Sequence, residues 1–190
     1  KAEKRSMDVK AKKLRREGYV TGNLFGREIE GSIPLKFTKK EIEVLLKNNN
    51  KGSQVMLELD GKTYDALIKE VDYNPLAHTV EEVDFQALVS NEMVHSVAEI
   101  ILENEEMVVS GVLQDELKEV AYKALPADLV DKIKVDVAGM KIGDTLRVKD
   151  LEIAKNKNIH ITTDLESVIA TVTPVHNVVP EAETATEDAA

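Results

Sequence analysis

Apolar and polar residues alternate along much of the chain, and this pattern predicts a protein built mainly from β-strands. Residues 55–59 and 64–68 each alternate in this way, and Asp60-Gly61 lies between them. Asp-Gly between two alternating runs is a strong hairpin signal, because both residues accept the positive φ angles of a tight turn. Residues 82–88 alternate again. We therefore expect a hairpin followed by a third strand.

The strand predicted over residues 82–88 has two chemically different sides. Val83 and Phe85 point to one side, whereas Glu82 and Asp84 point to the other. Burying Phe85 therefore turns both carboxylates toward the polar side. We expect this polar side to be available for a partner.

Two further elements are predicted before the hairpin. A short strand is expected over residues 19–24, between glycines. Thr38 and Glu41 have the spacing of a capping box, and apolar residues then recur on one helical face up to Asn48. A short helix should therefore follow Thr38.

A boundary between two domains is predicted near residues 89–91, where the composition becomes acidic. We expect a first β-domain over residues 1–88 and a second over 89–176, followed by a disordered acidic tail over 177–190. A helical turn is expected in the second domain, with Pro126 at its start. The strands predicted there are 94–102, 107–113, 117–124, 133–137 and 168–173.

Charge is distributed very unevenly along this chain of net charge −10. Residues 1–16 have a net charge of +6, residues 17–88 of −5 and residues 89–190 of −11. Electrostatic screening acts over about 8 Å at physiological ionic strength, so a distant acidic domain barely offsets a basic segment. Residues 1–16 can therefore meet phosphate locally.

Five cations crowd into seven residues of this basic segment, and contact with phosphate is their simplest use. A solvated basic tail is the alternative, and charge alone does not separate the two. The segment has no sustained apolar face, so we expect a partner to order it. The five cations are Lys10, Lys12, Lys13, Arg15 and Arg16.

The sequence offers little support for an enzyme, a metal site or a cofactor. There is no Cys, and His78, His95, His160 and His176 lack metal-ligand spacing. The glycines do not form a nucleotide-binding loop. No apolar run is long enough to cross a bilayer, and no signal peptide is evident. We expect a cytoplasmic protein with no catalytic residue, no metal, no cofactor and no small-molecule substrate.

Several short phrases together resemble one protein family. They begin with Leu14-Arg15-Arg16-Glu17-Gly18 and Leu24-Phe25-Gly26, and continue with Asp60-Gly61, Val83-Asp84-Phe85-Gln86 and Ile142-Gly143-Asp144-Thr145-Leu146, with Val148 and Asp150-Leu151 behind them. In order and spacing they resemble the bacterial ribosomal protein L twenty-five family. The resemblance is to its long two-domain form, also called general stress protein Ctc.

This resemblance implies a β-barrel-like domain that binds 5S rRNA in the large ribosomal subunit, followed by a second β-rich domain. It implies no catalysis. The RNA-facing positions that it implies are Lys10, Arg15, Arg16, Phe25, Glu82 and Asp84.

Two of these positions depart from the family pattern. Phe25 stands where Tyr is usual, so it can stack on a base or pack in the core but cannot donate a hydroxyl hydrogen bond. Glu82 stands where His is usual and places an anion at an RNA-facing position. Glu82 therefore either tolerates nearby phosphate or accepts hydrogen bonds from a base edge.

Taken together, the sequence predicts a structural RNA-binding protein of the 50S subunit, with 5S rRNA and neighbouring ribosomal proteins as partners. The alternative is an acidic, stress-related module that acts off the ribosome and binds a protein through residues 89–190.

Overall fold

The computed structural model describes residues 1–108 and 111–174 and contains two β-rich units. The first unit is a six-stranded sheet with two helices. Its strands follow the order β1-β3-β2-β6-β5-β4, antiparallel except for the parallel pair β2 and β6. Its elements are β1 (Glu3–Lys4), α1 (Ala11–Arg16), β2 (Tyr19–Phe25), β3 (Ser32–Thr38), α2 (Lys39–Asn48), β4 (Gln54–Leu59), β5 (Lys62–Asn74) and β6 (Thr79–Ala87).

Backbone contacts at Ala2 close this sheet into a barrel-like shape. Ala2 forms a parallel bridge with Leu59, and its N–H donates to the carbonyl oxygen of Glu58 at 2.8 Å. The first strand and the last strand in the sheet order are thereby joined. The predicted β-barrel-like fold is confirmed.

The basic segment has more structure of its own than its sequence indicates. The expectation that only a partner would order residues 1–16 is wrong, because β1 pairs with β3 and α1 is anchored by the buried side chain of Leu14. One apolar residue is enough to hold a helix of six residues against a sheet, although it gives no periodic pattern to detect.

The helix and hairpin predicted in the first unit are confirmed. Thr38 and Glu41 form the reciprocal bonds of a capping box at the start of α2, and Ile42 is buried. Asp60 and Gly61 have φ angles of +50° and +76°, as a tight hairpin turn between β4 and β5 requires. The core inside the barrel includes Val20, Leu24, Leu35, Phe37, Ile42, Leu57, Ile68, Val83 and Phe85.

The second unit contains two sheets. One has four strands in the order β10-β7-β9-β12, and the other has three strands in the order β11-β13-β8. Its buried residues include Ile169 and Tyr122, whose hydroxyl donates to the carbonyl of Val130 and accepts from its N–H. Its strands are β7 (Val94–Glu103), β8 (Val112–Asp115), β9 (Glu119–Ala124), β10 (Lys132–Asp136), β11 (Thr145–Arg147), β12 (His160–Ile161) and β13 (Val168–Thr173). Short 3-10 turns occupy Glu105–Met107, Pro126–Asp128, Val148–Asp150 and Glu152–Lys155.

Most strands predicted for the second unit are present, with three differences. The strand predicted over 107–113 begins only at Val112, and residues 109–110 lie outside the described residues. Strands β11 and β12 were not predicted, because two or three residues show no detectable alternation. The tail predicted over 177–190 lies outside the described residues, as does His176.

Gly52 lies at the close approach between the two units. It has a φ of +90°, and a Cβ at this position would lie 1.9 Å from the carbonyl oxygen of Val97 on β7. Polar contacts surround it: the Ser53 hydroxyl donates to Asp131 at 3.1 Å, and Lys69 Nζ donates to the carbonyl oxygen of His95 at 2.8 Å. Only a glycine fits this backbone path without moving β7.

Replacing Gly52 should therefore separate the two units, and Gly61 provides a matched control. Gly61 also has a positive φ, but a Cβ there meets nothing within 4 Å. Both Gly52→Ala and Gly61→Ala should lose roughly 1–2 kcal/mol from left-handed backbone strain. Gly52→Ala should lose more, and a protease should cut its segment 88–93 faster. Equal thermal destabilisation and equal cleavage of the two variants would contradict this role for Gly52.

Candidate RNA-binding surface

Three neighbouring strands, β2, β6 and β5, present a polar outer face. The strand register places Thr21 beside Glu82 and Glu82 beside Asp72. In the next row Asp84 pairs with Glu70, and Asn23 bonds to Asp84. We call these six residues the polar strip: Thr21, Asn23, Glu70, Asp72, Glu82 and Asp84. Thr21 is fully buried, whereas the other five are at least partly exposed.

Close approach between β2 and β6 makes this strip continuous. Gly22 lies between Thr21 and Asn23, and a Cβ on it would lie 2.0 Å from the carbonyl oxygen of Val83. The Asp84 carboxylate accepts from the Asn23 backbone N–H at 3.0 Å and from its side-chain amide at 3.1 Å. Oδ1 of Asp84 thus accepts both hydrogen bonds from β2. Oδ2 makes no hydrogen bond within the described residues.

The basic helix α1 lies at one end of the polar strip. Lys12, Lys13 and Arg16 are exposed, and Lys10, at the N-cap, is exposed as well. A cleft of about 420 Å³ separates the helix from the β5–β6 hairpin. It is lined by Lys12, Arg15, Arg16, Tyr19, Lys39 and the hairpin residues Ala77, Thr79, Val80 and Glu81. Four of the five cations predicted from the sequence therefore face solvent together.

Arg15, the fifth cation, is engaged within the protein. Its Nη2 lies 2.8 Å from Glu82 Oε2 and its Nη1 lies 3.1 Å from Glu81 Oε2. Its Nε also donates to the carbonyl oxygen of Glu81 at 3.2 Å. The guanidinium fork thus joins α1 to β6 across a separation of 66 and 67 residues in sequence.

Glu82 has intramolecular partners that the sequence did not indicate. Besides Arg15, it accepts a hydrogen bond from the Asn23 side-chain amide at 3.3 Å. Its carboxylate is therefore balanced by a guanidinium rather than left as a lone anion on the surface. This pairing accounts for how the chain accommodates an acidic residue at this position.

Phe25 lies at the opposite end of the face from α1. It pairs in register with Gln86, is half-buried, and points away from the core side that Leu24 occupies. The Phe25 side chain therefore does not pack inside the core, which was one of the two roles considered for it. The Phe25 side chain is thus partly exposed on the outer face.

Sequence reasoning missed several residues that share this surface. Alternation along β2 identifies Thr21 and Asn23 once that strand is known. Glu70 and Asp72 require the register of β5, which is interrupted by a bulge between Ile68 and Glu70. No pattern in a single sequence reveals that interruption.

The described residues contain neither a candidate metal centre nor a candidate membrane-spanning helix. Within residues 1–108 and 111–174, no group of three or more His, Asp or Glu side chains has the geometry to hold a metal ion. Across the same ranges, no helix has both the length and the apolar character needed to span a membrane.

Comparison with known proteins gives two family matches that together span most of the chain. The model of the Ribosomal L25p family matches residues 1–85, and that of the ribosomal protein TL5 C-terminal domain matches residues 93–176. The gap between the two matches falls at residues 86–92, where the sequence predicted a domain boundary.

Relatives named large ribosomal subunit protein bL25 cover nearly the whole chain. The protein of Carboxydothermus hydrogenoformans is 33% identical over 98% of this chain and 97% of its own length. That of Bacillus velezensis is 29% identical over 94% of this chain and 85% of its own length. That of Caldicellulosiruptor bescii is 33% identical over 84% of this chain and 80% of its own length. With both family matches in order along one chain, the protein belongs to the ribosomal L25p family, in the form that has a TL5-type second domain.

Proposed function

We propose that this protein is a structural component of the large ribosomal subunit that binds 5S rRNA through helix α1 and the polar strip. The observation that supports this most is the placement of four exposed cations, Lys10, Lys12, Lys13 and Arg16, beside a row of hydrogen-bonding groups on one sheet face. The family relationship indicates the ribosome, and the position of these cations supports the choice of this surface for the proposed RNA contact.

The cations of α1 supply the contact with phosphate. Lysine and arginine side chains that neutralise phosphates release counterions from the RNA, and this release dominates affinity at low salt. Arg16 can also present two parallel donors to one phosphate, whereas each lysine acts as a compact charge. Lys39 lines the same cleft and extends the cationic surface beyond the segment predicted from the sequence.

The polar strip supplies contact with base edges. An RNA helix has a wide, shallow minor groove that exposes 2′-hydroxyls and base edges, including the amino group of guanine. The carboxylate of Asp84, one oxygen of which makes no hydrogen bond within the described residues, is an acceptor for such donors. An acidic strip is therefore compatible with RNA, provided that phosphates stay at its edges and bases lie over its centre.

Arg15 acts as a positioning residue for this surface. Its bonds to Glu81 and Glu82 fix α1 relative to β6, so the exposed cations are held at a set distance from the strip. The guanidinium charge is shared with two carboxylates, which leaves it less charge to offer to phosphate. Arg16, its neighbour, has no such partner among the described residues and is the stronger candidate for phosphate contact.

The other functions considered from the sequence gain nothing from the structure. No observation favours a stress-related module that acts off the ribosome. The L25p family consists of structural ribosomal proteins, so the proposal involves no catalysis, no cofactor and no small-molecule substrate. A ribosomal role places the protein in the cytoplasm.

Removing two exposed cations from α1 should weaken binding to 5S rRNA. For Lys12→Gln with Arg16→Gln, the logarithmic dependence of affinity on salt should become shallower by just under about two units, one for each lost phosphate contact. Lys47→Gln with Lys62→Gln removes the same charge from exposed sites outside the cleft and serves as the control. Gel-shift titrations at several salt concentrations, with transfer RNA as competitor, measure both. Identical slopes for the two double variants would exclude α1 as the phosphate-binding element.

Neutralising Glu82 should strengthen binding at low salt. Glu82→Gln keeps the size of the side chain, removes one anion from the surface and leaves Arg15 with a single carboxylate partner. Glu82→His restores the residue type usual in the family and should tighten binding further as pH falls toward the ordinary histidine pKa of about 6.5. Glu43→Gln, on an exposed position of α2, is the matched control. Weaker binding by both Glu82 variants between about pH 6 and pH 8 would instead show that Glu82 reads a base.

A further inference from the structure

The outer face that carries the polar strip continues to the contact between the two units. Beyond Asn23 and Asp84, the next row contains Phe25, Gln86 and Leu67 in register. Leu67 has no exposed surface, and it lines a cavity of about 230 Å³ together with Lys51, Lys69 and His95. The surface proposed for RNA therefore runs directly into a cationic region at the second unit.

Basic side chains form a row across the four-stranded sheet of the second unit. On β9, Lys123 lies directly opposite His95 of β7 on one side and directly opposite His160 of β12 on the other. Residues paired in this way point to the same face of a sheet. His95 and His160 are exposed, and Lys123 is partly exposed. The two histidines, 65 positions apart in sequence, thus share one lysine neighbour.

This row and the cavity form one group, which we call the junction cluster: Lys51, Lys69, His95, Lys123 and His160. Lys69 donates a hydrogen bond to the carbonyl oxygen of His95 at 2.8 Å, which connects the two parts. Desolvation and the nearby charges of Lys123 and Lys69 lower the pKa of His95. Lys69 and Lys123 are thus each close enough to His95 to disfavour its protonation.

Four carboxylates lie near the cluster and partly offset its charge, and one of them, Asp131, accepts a hydrogen bond from Ser53. Glu70 lines the same cavity, and Glu119 lies 3.9 Å from Lys51. Glu99 is hydrogen-bonded to Asn50. Within residues 1–108 and 111–174, neither Lys69 nor Lys123 lies within 4.0 Å of a carboxylate. Three of the five members, His95, Lys123 and His160, belong to residues 89–190, a segment of net charge −11.

Desolvation and the nearby charge of Lys51 lower the pKa of Lys69, and like charges held close together reduce stability. An arrangement that weakens the fold locally, without a compensating contact inside the protein, is typical of a binding site. An anion with several charges supplies the missing compensation, and the phosphate backbone of a nucleic acid is such an anion. The polar strip is the nearest surface that is continuous with the junction cluster.

We propose that the junction cluster is a second phosphate-binding site, which contacts the backbone of the same RNA that the polar strip binds. The proposal rests on the proposed function. Along β2, Thr21 near α1 and Phe25 near the junction are four residues apart, or about 13 Å at about 3.3 Å per residue. The RNA backbone is thus held by cations at both ends of the strip while base edges lie over the acidic centre. The second unit takes part in RNA binding despite its acidic charge.

Lys123 provides the sharpest test, because its side chain makes no hydrogen bond or ion pair within the described residues, so its removal breaks no side-chain contact of that kind. In the full chain, Lys123→Glu should weaken binding to 5S rRNA several-fold and make the salt dependence shallower by just under about one unit. Lys118→Glu makes the same charge change at an exposed position in the same unit and should change neither quantity. Thermal unfolding of both variants, followed by circular dichroism, checks that the fold is retained.

The outcomes separate this proposal from the one on which it rests. If the unaltered protein shows no preference for 5S rRNA over transfer RNA, both proposals are overturned. If the unaltered protein prefers 5S rRNA and the α1 double variant weakens binding, but Lys123→Glu behaves like Lys118→Glu, the junction cluster is not a phosphate site while α1 remains one. A loss confined to Lys123→Glu, with the fold intact, supports the second site.

Discussion

The parallel pairing of β2 with β6 is the constraint on which the surface depends. It brings two strands that are about sixty residues apart in sequence into one register, and Gly22 permits the approach because any Cβ there would collide with the backbone of β6. The pairing turns Val20, Leu24, Val83 and Phe85 inward together. It thereby also turns Thr21, Asn23, Glu82 and Asp84 outward together. The core and the candidate site therefore lie on opposite faces of the same pair of strands.

The elements that the sequence predicted are those that a local pattern encodes. The capping box at Thr38 and the turn at Asp60-Gly61 depend on neighbouring residues, and the alternation around Phe85 repeats every two residues. The residues of the site were identified by charge and by resemblance, but their partners were not. Arg15 meets Glu82 only because a 67-residue separation is closed by the fold. His95 and His160 are neighbours of the same residue, Lys123, because the fold brings distant strands together. A rule based on the spacing of histidines in the sequence would not place them in one cluster.

Although the net charge of the chain is negative, its cations differ in whether they are paired with a carboxylate. Arg15, Lys4 and Lys36 each bind a carboxylate of the first unit. Lys12, Lys123 and Lys69 form no ion pair among the described residues: Lys12 lines the cleft beside α1, and Lys69 and Lys123 belong to the junction cluster. Exposed ion pairs contribute little to stability. The main effect of pairing a cation with a carboxylate is therefore to make that cation less available to a polyanion. For RNA binding, the pattern of pairing matters more than the total charge.

The bridge from Ala2 to Leu59 has a consequence for the order of events during synthesis. The bridge cannot form until the chain has been made as far as β4, and α1 cannot be fixed to Glu82 until β6 has also appeared. Contacts between distant parts of a chain form slowly, because long loops must close first. Although the basic helix is translated early, its productive orientation is acquired late. The proposed RNA-binding surface is therefore complete only when nearly all of the first unit has been made, and a nascent or truncated chain presents its cations without that surface.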